Sequence, residues 1–195
     1  MVDTSMHTSL PGLFAGGNGS DMCGGMHYSI PYNLLGSSYT GRVAGREAAK
    51  YAAEAALTEP DQDQIEKFRK EAYAPLDNKD GMTESQLRCA MIDIWPYLDY
   101  RTEETLTTAY NRFRELDEPA ANMSAVNSKG EASVHELAKA LKIRNVVALG
   151  EAEALAARER RESRIEHYRA DYPYMDNDNY AKWVVVKGTG DDMRA

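Results

Sequence analysis

Cysteine and long apolar runs are the two features that this sequence most lacks. Its 195 residues include only two cysteines, Cys23 and Cys89, which are too few and too far apart for a disulfide framework or a zinc site. No run of about 18 apolar residues occurs, so the sequence predicts no membrane-spanning helix. The polar N-terminus predicts no signal peptide, and we expect a reducing, cytoplasmic compartment, with membrane association through a partner subunit as the alternative.

Basic charge is also scarce in this chain. Lys and Arg number 23 against 31 Asp and Glu, which gives a formal net charge of −8. Such a chain would repel nucleic acid, so no nucleic-acid partner is expected. Residues 77–81 lack the ligand spacing and the closing Glu of a calcium loop, and no metal is expected. Hydrophobic residues make up 43% of the chain, enough for a globular core.

The chain divides by composition into a glycine-rich arm and a helical remainder. Glycine adds backbone entropy and no apolar surface, so residues 1–36 are not expected to build a core of their own. We expect this arm to be poorly ordered, or ordered only by packing against another chain, and a homodimer formed through the exposed arm is one such arrangement. From Ser37 to about Arg164 the sequence pattern is helical.

Local signals place the individual helices. An alanine-rich run predicts a first helix over residues 37–57. Capping boxes at Thr83 and Ser133 and a cap at Thr102 open three further helices, each followed by apolar residues at helical spacing. Residues 183–187 predict a short C-terminal strand. The predicted fold class is mainly α: a helical bundle with a glycine-rich N-terminal arm and a short C-terminal strand.

Two glycine-containing segments near the N-terminus favour a ligand site. Residues 10–19 are predicted to form a short strand that ends in glycines, and residues 36–45 to begin a helix. Glycine lets a backbone approach a ligand closely, and a helix N-terminus presents unpaired N–H groups to a polar or anionic group. A turn that only joins a strand to a helix has the same pattern, so spacing alone leaves both interpretations open.

The same two segments resemble flavoproteins of the fumarate reductase/succinate dehydrogenase type. Pro11 to Gly17 is similar to that family's Pro-Gly-Leu-Tyr-Ala-x-Gly-Glu, and Gly41 to Gly45 to its Phe-Gly-Arg-x-Ala-Gly. The resemblance implies contacts with the ribityl and phosphate part of FAD from the first segment, and a helix N-terminus at Gly36–Ser37 that faces the flavin. The cofactor-binding residues that it implies are Gly16, Gly17, Asn18, Leu35, Gly36 and Ser37.

A second match lies near the C-terminus. Glu162-Ser163-Arg164, followed by His167, Arg169, Asp171 and Pro173, resembles the family's Glu-Ser-Arg-Gly-x-His-x-Arg-x-Asp-x-Pro. Adenylylsulfate reductase α subunits and L-aspartate oxidase are related flavoproteins. The charged residues of this motif favour a buried salt-bridge network that ties the tail to the bundle over a catalytic cluster.

The sequence departs from the family in three places that bear on function. Asn18 replaces an acidic residue, and Ile165 replaces the usual glycine. The substrate loop is replaced by residues 27–36, which lack the arginine that would clamp a dicarboxylate. His27 is the one residue of that loop retained as a candidate substrate contact, and no catalytic residue is assigned. Fumarate or succinate is therefore not supported as the substrate.

The sequence also lacks the motif that would bind the dinucleotide part of FAD. No Gly-x-Gly-x-x-Gly turn between a strand and a helix occurs, so a dinucleotide-binding unit is missing. We therefore interpret residues 1–57 as a remnant of an FAD-binding domain and residues 58–195 as a C-terminal helical domain with its tail. Alone, the chain is expected to be inactive and to bind FAD poorly or not at all.

The resemblance also implies partners. They are the missing FAD-binding domain or chain and an iron–sulfur electron-transfer subunit. The alternative hypothesis is a non-catalytic helical module that docks to an electron-transfer subunit and uses the arm only as a linker.

Overall fold

The fold is mainly helical, as predicted. A computed structural model describes residues 2–20, 30–127, 129–188 and 192–195. The α-helices found there are α1 (Ile30–Glu54), α2 (Gln62–Asp77), α3 (Glu84–Ile92), α4 (Trp95–Asp99), α5 (Glu103–Glu115), α6 (Asp117–Ala121), α7 (Val134–Glu159) and α8 (Asn177–Tyr180), preceded by a 3-10 turn (Gly17–Ser20). The chain forms two compact units, Met1–Pro60 and Asp61–Ala195.

The N-terminal unit is better packed than its glycine content predicted. Met6 is buried against Val43 and Ala44 of α1, and Val2 and Phe14 cover this small cluster. His7 stacks on Phe14 with ring centroids 4.7 Å apart. The expectation that the arm would be ordered only by another chain is therefore wrong for residues 2–20, because α1 supplies the apolar surface that the arm lacks.

The C-terminal unit is built around α7. Its core joins α7 to α5 through Phe113, Ala140, Ile143, Val147 and other small or branched residues. The caps at Thr83, Thr102 and Ser133 are confirmed, since each side chain accepts a hydrogen bond from the backbone N–H three residues later. Each cap satisfies an N–H group that the first helical turn would otherwise leave without a partner.

Gly150 lies inside α7 without interrupting it. A Cβ at this position would lie 2.4 Å from two carbons of the Phe113 ring, far closer than carbon atoms pack. Glycine is therefore required here because the α5 ring lies directly on the α7 backbone.

The predicted C-terminal strand is not formed. Residues 183–186 have no regular secondary structure, and the pairing found nearby is a single bridge between Lys187 and Arg194. A run of β-prone residues needs a neighbouring strand to satisfy its backbone groups, and the described part of the chain provides none. The long helix also ends earlier than predicted, at Glu159.

Candidate functional site

The glycine-rich segment crosses α1 at backbone contact. A Cβ on Gly16 would lie 3.0 Å from the backbone N and Cα of Gly41. Gly17 follows with a φ of +60°, a left-handed conformation that glycine adopts without steric cost. Both glycines are therefore needed to seat the loop on the helix.

Thr40 holds this crossing in place and was not predicted as a site residue. Its buried hydroxyl accepts a hydrogen bond from the Gly17 N–H at 2.8 Å and donates one to the Gly36 carbonyl at 2.6 Å. A hydroxyl that bonds back to the carbonyl four residues earlier is a common arrangement in helices, but its second bond spans 23 residues along the chain. The sequence alone predicts the local bond to Gly36, but not the long-range bond to Gly17.

The helix does not begin at Gly36–Ser37, as the sequence analysis predicted. Helix α1 begins at Ile30, because Pro31 suits a first helical turn and Gly36 does not break the helix. Gly36 and Ser37 therefore lie within α1, where their N–H groups bond to carbonyls of the preceding turn. The expectation that these two N–H groups are free to bind a flavin is wrong.

The six predicted cofactor-binding residues separate into two groups. Asn18 is exposed in the 3-10 turn, and Leu35 is 68% exposed on α1. Gly17 is buried, and Gly16, Gly36 and Ser37 are half-buried. Asn18 and Leu35 have the most exposed side chains of the six, so the residues present fit an FAD contact in part.

His27, the candidate substrate contact, lies outside the described residues. Among those that the structure does describe, no cluster of three His, Cys, Asp or Glu side chains could hold a metal ion. No described helix is long and apolar enough to cross a membrane.

The second motif forms the charged network that the sequence predicted. The Glu162 carboxylate is 0% exposed. It accepts hydrogen bonds from Arg160 at 2.6 Å, from Arg164 at 2.8 and 3.0 Å, and from the Asp176 N–H at 2.8 Å. These donors, Arg164 above all, lower the pKa of Glu162 to about 2 against the desolvation that burial imposes.

Arg169 connects the ends of two helices. Its buried guanidinium donates to the carbonyls of Ala157 and Arg158 in the last turn of α7, both at 3.0 Å, and forms a bidentate pair with Asp171 at 2.8 and 2.7 Å. Asp171 in turn accepts the Glu103 N–H at the start of α5, at 2.8 Å. A cation therefore lies at a helix C-terminus and an anion at a helix N-terminus, as the helix dipoles favour.

His167 is held as a neutral structural residue. Arg101 donates to its Nδ1 at 3.0 Å, so its Nε2–H donates to the Arg160 carbonyl, also at 3.0 Å. Burial, chiefly, lowers the pKa of His167, and the neighbouring arginines lower it further. With both ring nitrogens occupied, this side chain is not positioned for acid–base catalysis.

Ile165 is the strained residue of this region. Its φ is +55°, and it lies in a tight turn closed by two backbone hydrogen bonds between Arg164 and His167. A β-branched side chain in the left-handed region costs free energy that glycine does not.

Replacing Ile165 by glycine is therefore expected to raise the free energy of unfolding by about 1 kcal/mol, after allowance for the larger unfolded-state entropy of glycine. Denaturant titration of the two proteins measures this difference. Ile165→Ala is the matched control, since it removes exposed side chain and keeps the Cβ. A gain for alanine as large as that for glycine would contradict the strain.

Comparison with known proteins places the second motif in a family. Residues 98–194 match the family model described as fumarate reductase flavoprotein C-term. The C-terminal half of this chain belongs to the fumarate reductase/succinate dehydrogenase flavoprotein family. The charged network formed by Glu162, Arg169 and Asp171 is thus part of this family's C-terminal region.

Two curated flavoproteins of this type extend the similarity to nearly all of the chain. The succinate dehydrogenase flavoprotein subunit of Bacillus subtilis is 24% identical over 201 residues, which covers 95% of this chain and 33% of the relative. The 8-methylmenaquinol:fumarate reductase flavoprotein subunit of Wolinella succinogenes is 28% identical over 195 residues, 93% of this chain and 30% of the relative. The chain therefore spans about a third of the length of these relatives.

Solved structures show the same fold. Mycobacterium smegmatis Sdh1, in a complex with UQ1, superposes with a TM-score of 0.76 at 30% identity, covering 90% of this chain and 30% of Sdh1. A variant of FrdA from Escherichia coli quinol fumarate reductase gives a TM-score of 0.73 at 21% identity, covering 92% of this chain and 32% of FrdA. At 21% identity the second likeness supports the fold alone.

Proposed function

We propose that this chain is a C-terminal part of an FAD-dependent oxidoreductase, with most of the FAD site outside these 195 residues. The observation that carries the proposal is the crossing of Gly16 over Gly41 at backbone contact, in a segment that matches the family's flavin-binding pattern. A linker needs no such contact and no buried threonine to hold it. The crossing therefore favours a ligand-facing segment over the alternative of a non-catalytic module with a flexible arm.

The exposed and buried residues of this segment have different proposed roles. The Asn18 amide has both a donor and an acceptor for ribityl hydroxyls, where an acidic residue could only accept. Leu35 offers apolar surface to the flavin or to the domain that binds it. Gly16, Gly17, Gly36 and Ser37 act through the backbone by fixing where Asn18 and Leu35 lie.

FAD supplies hydride transfer when it is bound, and this chain's residues bind and orient it. His27 is the proposed substrate contact in the intact enzyme. The proposed partners are the remaining FAD-binding region, as a domain or a separate chain, and an iron–sulfur electron-transfer subunit, in the cytoplasm. A homodimer through the arm stays a prediction, with Phe14 already packed in its own unit and Leu13 exposed.

The isolated chain is expected to bind FAD weakly or not at all, because no unit for the adenosine half of the cofactor is present in its sequence. Equilibrium dialysis of the 195-residue chain against FAD measures this directly. A sub-micromolar dissociation constant would contradict the proposal, since the chain would then contain a complete site of its own.

A further inference from the structure

The 3-10 turn that carries Asn18 is attached to α1 through the Thr40 hydroxyl. The Thr40 side chain is only 3% exposed, and its hydroxyl accepts the Gly17 N–H at 2.8 Å. Because this hydroxyl donates its own proton to the Gly36 carbonyl at 2.6 Å, its acceptor side faces the turn. Gly17 is the first residue of the turn, and Asn18 follows it directly. The bond therefore fixes the backbone one residue before the exposed Asn18 amide.

Gly17 is held from more than one side. Its N–H bonds to Thr40, and its carbonyl accepts the Ser20 hydroxyl at 2.8 Å. A Cβ at Gly17 would lie 3.1 Å from Ser37 Oγ, so α1 also lies close to the Cα of this glycine. The N–H of Gly17 is thus committed to the fold, and the structural role of Gly17 is to connect Asn18 to α1.

Thr40 does more than a threonine inside a helix ordinarily does. Thr108 on α5 shows the ordinary arrangement, because its hydroxyl donates to the Glu104 carbonyl four residues earlier at 2.9 Å. In the described part of the chain, Thr108 makes no hydrogen bond to a segment distant in sequence. Thr40 makes both bonds. It also stands where the family pattern that Gly41 to Gly45 matches has a phenylalanine, so the hydroxyl link is a feature of this chain.

A turn that is fixed before a ligand arrives binds that ligand more tightly than a loose one, since no ordering cost is added on binding. This matters more for Asn18 than for a carboxylate. A neutral amide makes hydrogen bonds about half as strong as those of a charged group, so its contribution depends more on being held in the correct place.

We propose that Thr40 is a positioning residue for the flavin. Its hydroxyl holds the Gly17–Ser20 turn on α1 and so keeps the Asn18 amide where the ribityl hydroxyls of FAD bind. This inference rests on the proposed function, in which Asn18 is the ribityl contact, and adds to it the side chain through which that contact is held.

Hydrogen exchange in the isolated 195-residue chain tests the structural step without any flavin. Thr40→Val removes the hydroxyl and keeps the shape of the side chain. The Gly17 amide, followed by NMR, is expected to exchange at least about tenfold faster in this variant, because it loses its acceptor. Thr40→Ser keeps the hydroxyl and should exchange like the unmodified chain. An unchanged Gly17 exchange rate in Thr40→Val would overturn the proposal.

Titration of FAD into the native assembly, prepared without its flavin, tests the binding step. Thr40→Val is expected to raise the dissociation constant for FAD about tenfold, a factor typical of one lost hydrogen bond, and Thr40→Ser should bind FAD like the unmodified assembly. Thr108→Val is the matched control, because it removes a hydroxyl that bonds only to its own helix, and it should leave FAD binding unchanged.

A double-mutant cycle shows whether Thr40 acts through Asn18 or through the fold in general. In an Asn18→Ala background, Thr40→Val should raise the dissociation constant by less than about twofold, since the amide that Thr40 positions is gone. A full tenfold loss in that background would overturn the proposal. A Thr40→Val assembly that binds FAD normally would overturn this inference and leave the proposed function in place, whereas an unmodified assembly that binds no FAD would overturn both.

Discussion

Glu162→Gln is expected to lower the free energy of unfolding of the C-terminal unit by about 3 kcal/mol at neutral pH. The carboxylate is fully buried and accepts hydrogen bonds from Arg160, Arg164 and the Asp176 backbone. A neutral amide in its place would leave two guanidinium groups without their counter-ion. It would also turn N–H donors toward the arginine donors.

The loss of stability caused by Glu162→Gln should be largest at neutral pH and should shrink in acid. The folded-state pKa of Glu162 is about 2, below its usual 4.5. The stabilisation is therefore fully present above pH 4.5 and is lost as the pH falls toward 2. Urea titrations of both proteins between pH 7 and pH 3 should show this difference in unfolding free energy shrinking in acid.

Glu71→Gln, at an exposed helix position, is the control and should change the free energy of unfolding by less than about 0.5 kcal/mol at any pH. A pH-independent deficit in Glu162→Gln would contradict the ionic role.

Gly150→Ala is expected to destabilise the same unit by about 2 kcal/mol, although alanine is the better helix former by about 1 kcal/mol. The new methyl would lie 2.4 Å from the Phe113 ring. That ring is buried in the core between α5 and α7, so the ring or the helices must shift to accept the methyl. Thermal and denaturant unfolding measure the change.

Gly45→Ala is the matched control for this prediction. Gly45 also lies inside a helix, but nothing lies within 4 Å of its would-be Cβ. Alanine should therefore stabilise α1 by about 0.5–1 kcal/mol. If both alanine variants gained stability, the close packing of Phe113 on α7 would be wrong.

The helix caps could be predicted from sequence because their physics is local. The Thr83, Thr102 and Ser133 side chains each bond to a backbone N–H three residues away, and this spacing is visible in a printed sequence. Apolar residues at helical spacing then identified the buried face of α5. They did not identify that of α7, where Val134 is 73% exposed and Ile143 is buried.

The start of α1 and the packing of the arm could not be predicted in the same way. Glycine content suggested a disordered arm and a helix that begins at Ser37. Pro31 is compatible with a helical first turn, and Val43 and Ala44 of α1 bury Met6. The Gly17–Thr40 hydrogen bond joins residues far apart in sequence, and local patterns carry no information about such a contact.

The sequence predicted that these charged residues form a salt-bridge network, but it did not predict which helices the network joins. The motif places Arg169 two residues before Asp171, which suggests the pair. That this pair also joins the end of α7 to the start of α5 depends on how those helices pack. Glu151 illustrates the same limit: it is buried on α7 with one carboxylate oxygen lacking a hydrogen-bond partner among the described residues, and burial raises its pKa.

The most direct test of the proposed function is the flavin content of the chain in its native assembly. The affinity-tagged chain, purified from its own cells, is expected to carry about one FAD per chain together with the polypeptide region that holds the rest of the cofactor. Leu35→Asp should reduce the flavin content severalfold, whereas Leu57→Asp, on a fully exposed leucine of the same unit, should not. An assembly without flavin, or one in which Leu35→Asp retains its full flavin content, would contradict the account.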